Sequence, residues 1–128
     1  MSFLSWLFGG GKKTAVKKID WLEIEGRQRQ IDALSAQNNQ LAFKQAIIES
    51  DKLVDTIMKQ LADGATFADR LKALRPKFSR ESYDQIWKAH IKRNELVHDT
   101  GSFVADWELT VHMRTYRETI SILRGFSI

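Results

Sequence analysis

Apolar side chains recur along most of this chain at intervals of three and four residues, which is the spacing of one face of an α-helix. The strongest pattern covers residues 40–62, where the repeating positions form one wide face. That face consists of Phe43, Ala46, Ile47, Ser50, Leu53, Val54, Ile57, Met58 and Leu61. No segment alternates between apolar and polar residues with a period of two, so the pattern predicts an all-α protein.

Turn-forming and capping residues divide the chain into five predicted helices. These helices span residues 14–36, 40–62, 67–74, 80–98 and 103–125. Gly64 provides the stop after the second helix, and Thr66 and Ser79 have side chains suited to cap the helices that follow them. Asn38 and Asn39 indicate either a turn or a helix N-terminus.

The last predicted helix carries apolar residues that step by four, three, four and three positions. This seam consists of Leu109, Met113, Tyr116, Ile120 and Leu123. Such spacing is typical of coiled-coil-like packing against neighbouring helices or against a partner. We expect the helix to begin near Phe103 and to end at Gly125.

The composition indicates a folded protein of one domain. The chain has 128 residues, 43% of them apolar, and a single proline. It has no cysteine, which excludes disulfides and thiolate metal sites and suits a reducing compartment such as the cytoplasm. Its three histidines are scattered without metal-ligand spacing, so we predict no metal and no cofactor.

The net charge of +4 is concentrated at the amino terminus. Residues 1–18 contain four lysines and no acidic residue, so basic and acidic side chains balance in the remainder. The totals therefore do not indicate a uniformly basic surface for nucleic acid. We divide the chain into an apolar and basic arm, residues 1–18, and a helical bundle, residues 19–128.

The arm opens with a short run of large apolar side chains. They are Phe3, Leu4, Trp6, Leu7 and Phe8. The run is too short to span a bilayer, and it lacks the basic start and the cleavage pattern of a signal peptide. Two interpretations remain open. Either these side chains dock on the protein's own surface or on a neighbour, or they anchor the chain weakly at the inner face of an anionic membrane.

The helix from residue 80 to residue 98 gathers polar groups on an otherwise apolar side. His90, Asn94 and His98 occupy positions where a packing helix would carry aliphatic residues, and Arg93 lies at the edge of this stripe. An unsatisfied polar group on a packed face costs about 1–3 kcal/mol. We therefore expect these side chains to satisfy one another, or to line a cleft where a ligand or a second chain satisfies them.

The segment Arg93-Asn94-Glu95-Leu96-Val97-His98 resembles the Arg-polar-x-x-x-His motif of HEPN domains, in which a polar residue, often Asn, follows the Arg. Residues 46–55 also resemble the long second helix of small bacterial members, and the likeness runs from about residue 39 to residue 123. The resemblance implies an antiparallel helical bundle of four to five helices. It also implies a homodimer with the motif at the junction of its two subunits.

The chemistry implied by this resemblance is metal-independent RNA cleavage of the toxin or defence type. Arg93 would stabilise the charge on the phosphate, and His98 would transfer protons, because an imidazole holds either protonation state near neutrality. Asn94 would orient the backbone or His98. His90 and Lys92 would support the site, Lys92 by contacting phosphate. The implied partners are RNA and an antitoxin or another protein.

An inactive module that binds RNA, a nucleotide or a protein is the alternative. Five residues turn an ideal helix so that Arg93 and His98 point about 140° apart, with a rise of about 7.5 Å. They would converge if the helix distorts, or if two copies each supply part of one site. In the alternative, Arg93 pairs with a nearby acid, Asn94 is a core amide, His98 caps the helix C-terminus and His90 is a satisfied core histidine.

Three further groups are interpreted as structural. Glu49, Asp51 and Asp55 are expected on a solvated surface with salt bridges, together with neighbouring lysines. Two tryptophans at positions 21 and 107 are expected in the core or at an interface. The histidine at position 112 is expected to be exposed.

Overall fold

The structure is a computed structural model that describes residues 19–127, with side chains as far as residue 125. That part of the chain is an all-α bundle without strands. Its helices are α1 (Trp21–Ser35), α2 (Gln40–Leu61), α3 (Phe67–Ala73), α4 (Arg80–His98) and α5 (Asp106–Ser127), with a short 3₁₀ turn at Arg75–Lys77. The all-α prediction is confirmed.

Helix α2 lies at the centre of the bundle and contacts α1, α3, α4 and α5. Its predicted apolar face is buried as expected, except that Leu61 is only half-buried. All five members of the predicted seam on α5 are also buried. Each large aliphatic side chain removed from water contributes about 1.5–3 kcal/mol, so this contact area is the main source of the fold's stability.

Four helices begin at a polar side chain that accepts a hydrogen bond from the backbone N–H three residues later. These caps are Asp20, Asn39, Thr66 and Ser79. Asn38 adopts a left-handed conformation with φ of 58°, directly before the cap at Asn39. The two asparagines therefore form both the turn and the helix N-terminus that the sequence left open.

Helix α5 begins at Asp106, three residues later than predicted, because other helices hold the preceding backbone. The side-chain amide of Gln40 donates to the Val104 carbonyl at 2.7 Å and accepts from the Val104 N–H at 2.8 Å. The Lys92 ammonium donates to the Phe103 carbonyl at 2.8 Å. These bonds satisfy backbone groups that a helix would otherwise use. Helix α5 also continues two residues beyond Gly125.

The amino-terminal predictions fall mostly outside the described residues. Helix α1 begins at Trp21, whereas residues 14–18 of its predicted range are not described. The arm, including Phe3, Leu4, Trp6, Leu7 and Phe8, also lies outside them. Within the described part, none of the helices combines the length and the apolar character needed to cross a bilayer.

The connection between α2 and α3 depends on a glycine. Gly64 has a φ of 153°, a conformation that side chains rarely adopt. A Cβ atom there would lie 2.9 Å from the Cβ of Asp69 and 3.0 Å from the backbone nitrogen of Arg70. The Gly64 carbonyl accepts a 2.6 Å hydrogen bond from Nη1 of Arg70. Any larger residue would have to displace the start of α3.

We predict that Gly64→Ala lowers the free energy of unfolding by about 1–3 kcal/mol, because it combines backbone strain with a steric clash. Gly26→Ala is the matched control. Gly26 lies within α1, and its added Cβ would meet only the end of Arg29 at 3.7 Å. That control should gain about 0.5–1 kcal/mol from helix propensity. Urea unfolding measures both changes, and equal stability of Gly64→Ala and wild type would contradict the prediction.

Candidate functional site

A buried carboxylate joins three helices at the centre of the bundle. Asp51 of α2 is only 3% exposed. Its Oδ2 accepts a hydrogen bond from the Tyr116 hydroxyl of α5 at 3.0 Å and lies 2.9 Å from Nδ1 of His90 on α4. Its Oδ1 lies 3.8 Å from Nε of Arg93, also on α4. We call these four residues the Asp51 cluster.

The periodicity of each helix brings the cluster together. On α2, Asp51 follows Ile47 by four residues and precedes Val54 by three, so it shares their buried stripe. On α4, His90 and Arg93 are three residues apart and therefore face the same neighbour. A buried carboxylate is costly unless it is paired and hydrogen-bonded. Here a hydroxyl, an imidazole and a guanidinium surround it.

Tyr116 is the neutral donor of the cluster. Burial raises the pKa of its hydroxyl well above the ordinary value, and the negative charge of Asp51 and their hydrogen bond raise it further. The nearby Arg93 cation opposes this shift in the pKa of Tyr116. The hydroxyl therefore keeps its proton and donates a hydrogen bond to the Asp51 carboxylate.

The ring of His90 is fixed on two sides. It stacks on Phe67 with the ring centroids 3.9 Å apart and the planes only 3° from parallel. The Trp87 ring approaches it edge-on at 6.2 Å. Since Nδ1 faces Asp51, Nε2 is the ring nitrogen left for other contacts. His90 is thus a core histidine with a partner, as one of the two interpretations predicted.

A groove of about 310 Å³ opens beside this cluster, between α2, the start of α3 and α4. Its lining includes Lys52, Thr66, Phe67, His90, Arg93 and Asn94. The Arg93 side chain is 34% exposed, and its Nη1 donates a 2.9 Å hydrogen bond to the side-chain oxygen Oδ1 of Asn94. Its Nε is buried and makes no hydrogen bond. Three of the predicted site residues, His90, Arg93 and Asn94, therefore line one groove.

The other two predicted site residues lie elsewhere. His98 is the last residue of α4 and is exposed, and within residues 19–127 no hydrogen bond or ion pair joins it to Arg93. Lys92 is buried at the junction of α4 and α5. Its ammonium lies 3.3 Å from a Glu108 carboxylate oxygen, besides its bond to the Phe103 carbonyl. Lys92 is therefore engaged within the chain, away from the groove.

One structural interpretation of the sequence was wrong for Asp51. It is buried, whereas the sequence indicated a solvated surface. The signal that it belongs to the core was its position on the stripe of Ile47, Val54 and Met58. The neighbouring carboxylates do form salt bridges: Glu49 with Lys52 at 3.7 Å, and Asp55 with Arg70 at 2.8 Å and Lys59 at 3.9 Å.

The prediction for the histidine of α5 was also wrong. His112 is half-buried rather than exposed, and its Nδ1 has no hydrogen-bond partner. Burial lowers the pKa of His112 below its ordinary value, the nearby Lys92 cation lowers it too, and Glu108 raises it. Of the two tryptophans considered above, Trp21 packs partly buried on the core, whereas Trp107 is exposed.

Comparison of the chain with protein-family models, with curated proteins and with solved structures found no match. The segment from Arg93 to His98 resembles the HEPN motif. This resemblance therefore stays a prediction, which rests on the residues themselves. The geometry of the groove and of the Asp51 cluster has to carry any statement about function.

We predict that stability falls steeply in alkaline solution because of Tyr116. Its pKa is raised in the folded state, so its contribution is complete below the unfolded value of about 10 and is lost as the pH rises above it. The expected added slope is about 1.4 kcal/mol per pH unit. Tyr116→Phe should remove this slope, although it costs about 1–3 kcal/mol at neutral pH by depriving Asp51 of a donor.

Tyr83→Phe is the matched control, because it changes the chain's other tyrosine and leaves the Asp51 cluster intact. Urea unfolding between pH 8 and pH 11, values chosen to bracket the ordinary tyrosine pKa of about 10, gives the slopes. The control should keep the wild-type slope. An identical slope in wild type and Tyr116→Phe would contradict the role assigned to the buried hydroxyl.

Proposed function

We propose that this protein is a HEPN-like, metal-independent endoribonuclease that acts as a homodimer. The observation that carries this proposal is the Arg93–Asn94 pair, whose guanidinium opens onto a groove and which lies in the segment that resembles the HEPN motif. The Arg93 side chain is 34% exposed and lines the groove, so the end of its guanidinium can donate hydrogen bonds to a ligand there. The chemistry that best suits its planar fork is a phosphate group.

The positions of Arg93 and His98 on α4 favour a site that two copies of the chain share. The two side chains point about 140° apart on α4, which is too far for a tight pair on one straight helix. The outer face of α4 exposes the large apolar side chain of Ile91, which is 60% accessible. Ile91 and His98 are two turns apart on that face. In a symmetric dimer that pairs through this face of α4, the same face of the partner subunit would lie beside the Arg93–His98 segment of the first subunit.

In the proposed reaction, a ribose 2′-hydroxyl attacks the adjacent phosphorus and displaces the 5′-oxygen. Arg93 binds the non-bridging phosphate oxygens and stabilises the charge that develops on them. His98 transfers a proton, and Asn94 holds the guanidinium through its side-chain oxygen. Such a mechanism uses only side chains, so it proceeds without a divalent cation.

The second candidate is a silent HEPN-like module that binds RNA, a nucleotide or a protein partner. It is favoured by one observation: Arg93 already lies close to Asp51 and Asn94, and no hydrogen bond or ion pair in the described part of the chain joins it to His98. In this case the groove would bind a phosphate group without cleaving a bond. RNA binding by the wild type without cleavage would support this candidate.

We predict that the purified protein cleaves mixed-sequence RNA in EDTA. Arg93→Ala should lower the rate about 10²–10³-fold by removing charge stabilisation, and His98→Ala about 10²–10⁴-fold by removing proton transfer. Arg93→Lys should recover only part of the activity, because an ammonium keeps the charge and loses the fork. Cleavage products resolved by gel electrophoresis provide the measurement.

Arg114→Ala is the control for loss of an arginine, because Arg114 is exposed on α5 and does not line the groove beside the Asp51 cluster. It should cleave at the wild-type rate. Cleavage that needs Mg²⁺, or that survives both Arg93→Ala and His98→Ala, would rule out the proposed mechanism.

A mixing experiment tests whether the site is shared between subunits. If one chain supplies Arg93 and its partner supplies His98, a heterodimer of Arg93→Ala and His98→Ala contains one intact site. Random exchange makes half of the dimers mixed, so the mixture should regain about a quarter of wild-type activity. No recovery from variants that still exchange subunits would place both residues in one chain.

A further inference from the structure

The proposed cleavage requires two proton transfers, and His98 accounts for only one of them. One group must remove the proton of the 2′-hydroxyl, and another must protonate the leaving 5′-oxygen. The described chain has a second imidazole beside Arg93, in the same groove. We propose that His90 is the general base of the reaction, a role that rests on the proposed function.

The contact with Asp51 leaves the proton of the neutral His90 ring on one nitrogen and frees the other nitrogen to act as a base. Nδ1 of His90 lies 2.9 Å from the Asp51 carboxylate, so the neutral ring carries its proton on Nδ1 and donates it to Asp51. Nε2 is then left with its lone pair. When Nε2 takes a proton, the carboxylate stabilises the imidazolium that forms. Tyr116 completes this support by donating to the same carboxylate oxygen at 3.0 Å.

The position of the ring suits a group that acts on a bound ligand. Stacking on Phe67 fixes its plane, and the ring borders the groove lined by Arg93 and Asn94. The ring is therefore held in place beside a space that a ligand can enter.

Several charged groups surround His90. They are Asp51, Lys52 and Asp55 of α2, Arg70 of α3, Arg93 of α4 and, as a neutral hydroxyl, Tyr116 of α5. Asp55 is paired with Arg70, and Lys52 lies near Glu49. Of these groups, Asp51 is the one within hydrogen-bonding distance of the His90 ring, at 2.9 Å.

The proposed step conserves atoms and protons. The proton of the 2′-hydroxyl moves to Nε2 of His90 while the bond from the 2′-oxygen to phosphorus forms. The bond from phosphorus to the 5′-oxygen breaks, and that oxygen takes a proton from protonated His98. The products are a 2′,3′-cyclic phosphate and a 5′-hydroxyl. Both imidazoles return to their starting states by exchanging protons with water.

The test is His90→Asn in the full-length protein. The Asn amide nitrogen can take the place of Nδ1 and keep the bond to Asp51, but it cannot accept a proton. We expect kcat to fall about 10²–10⁴-fold and the rise of the rate with pH to disappear. Affinity for an RNA with 2′-deoxyribose at every position except its 3′ end, which resists cleavage, should stay within about twofold of wild type.

His112→Asn is the matched control, since it makes the same substitution at a half-buried histidine on α5 that does not line the groove. It should keep the wild-type rate and pH profile. A His90→Asn protein that cleaves within about threefold of wild type, with the same rise of rate with pH, would overturn the proposal. An active wild type with that result leaves the proposed function standing, whereas a wild type without cleavage overturns both.

If His90→Asn does not fold, nitrogen-15 NMR of the wild type decides. The deoxy-substituted RNA is then titrated into labelled protein, and the Nε2 resonance of His90 is followed. A change on binding supports contact between His90 and the ligand. An unchanged Nε2 resonance at saturating RNA overturns the proposal.

Discussion

A single buried carboxylate governs the arrangement of this bundle. Asp51 lies among aliphatic side chains of α2, where an isolated charge would be very costly. The cost is offset only if α4 presents His90 and α5 presents Tyr116 to the same oxygen atom. Helices α4 and α5 are therefore constrained in rotation and in register with respect to α2. Apolar packing alone tolerates small shifts between helices, whereas hydrogen bonds of this length do not.

The same carboxylate connects the core to the groove. Its two oxygens have different surroundings: Oδ2 receives Tyr116 and His90, and Oδ1 faces Nε of Arg93. The groups proposed to act on RNA are thus oriented from the inside of the protein. Substrate would meet a guanidinium and an imidazole that are already in place, which lowers the entropy lost on reaching a reactive geometry. In the proposed homodimer, a second subunit at the exposed end of α4 would complete the site.

The sequence predicted the helices well because their causes are local. Caps such as Asn39 and Ser79 act over three residues, and apolar spacing acts over a few turns. The Asp51 cluster has no local cause, since the carboxylate is 39 residues from His90 and 65 from Tyr116. The polar stripe on α4 indicated that its side chains need hydrogen-bonding partners, but it did not indicate which residues those partners are. The late start of α5 has a similar reason: it depends on Gln40, at a separation of 64 residues.

The connection between α4 and α5 shows how far such long-range bonds reach. Gln40 pairs with both backbone groups of Val104, Lys92 holds the Phe103 carbonyl, and Lys44 approaches the Thr100 carbonyl at 3.4 Å. A protease must accommodate several residues of extended, detached chain before it can cut. This connection is exposed at Gly101, yet it is tied to α2 and α4 along its length. A protease could cut this turn only after the end of α4 had separated from the bundle. The turn should therefore resist proteolysis as well as the helices that it joins.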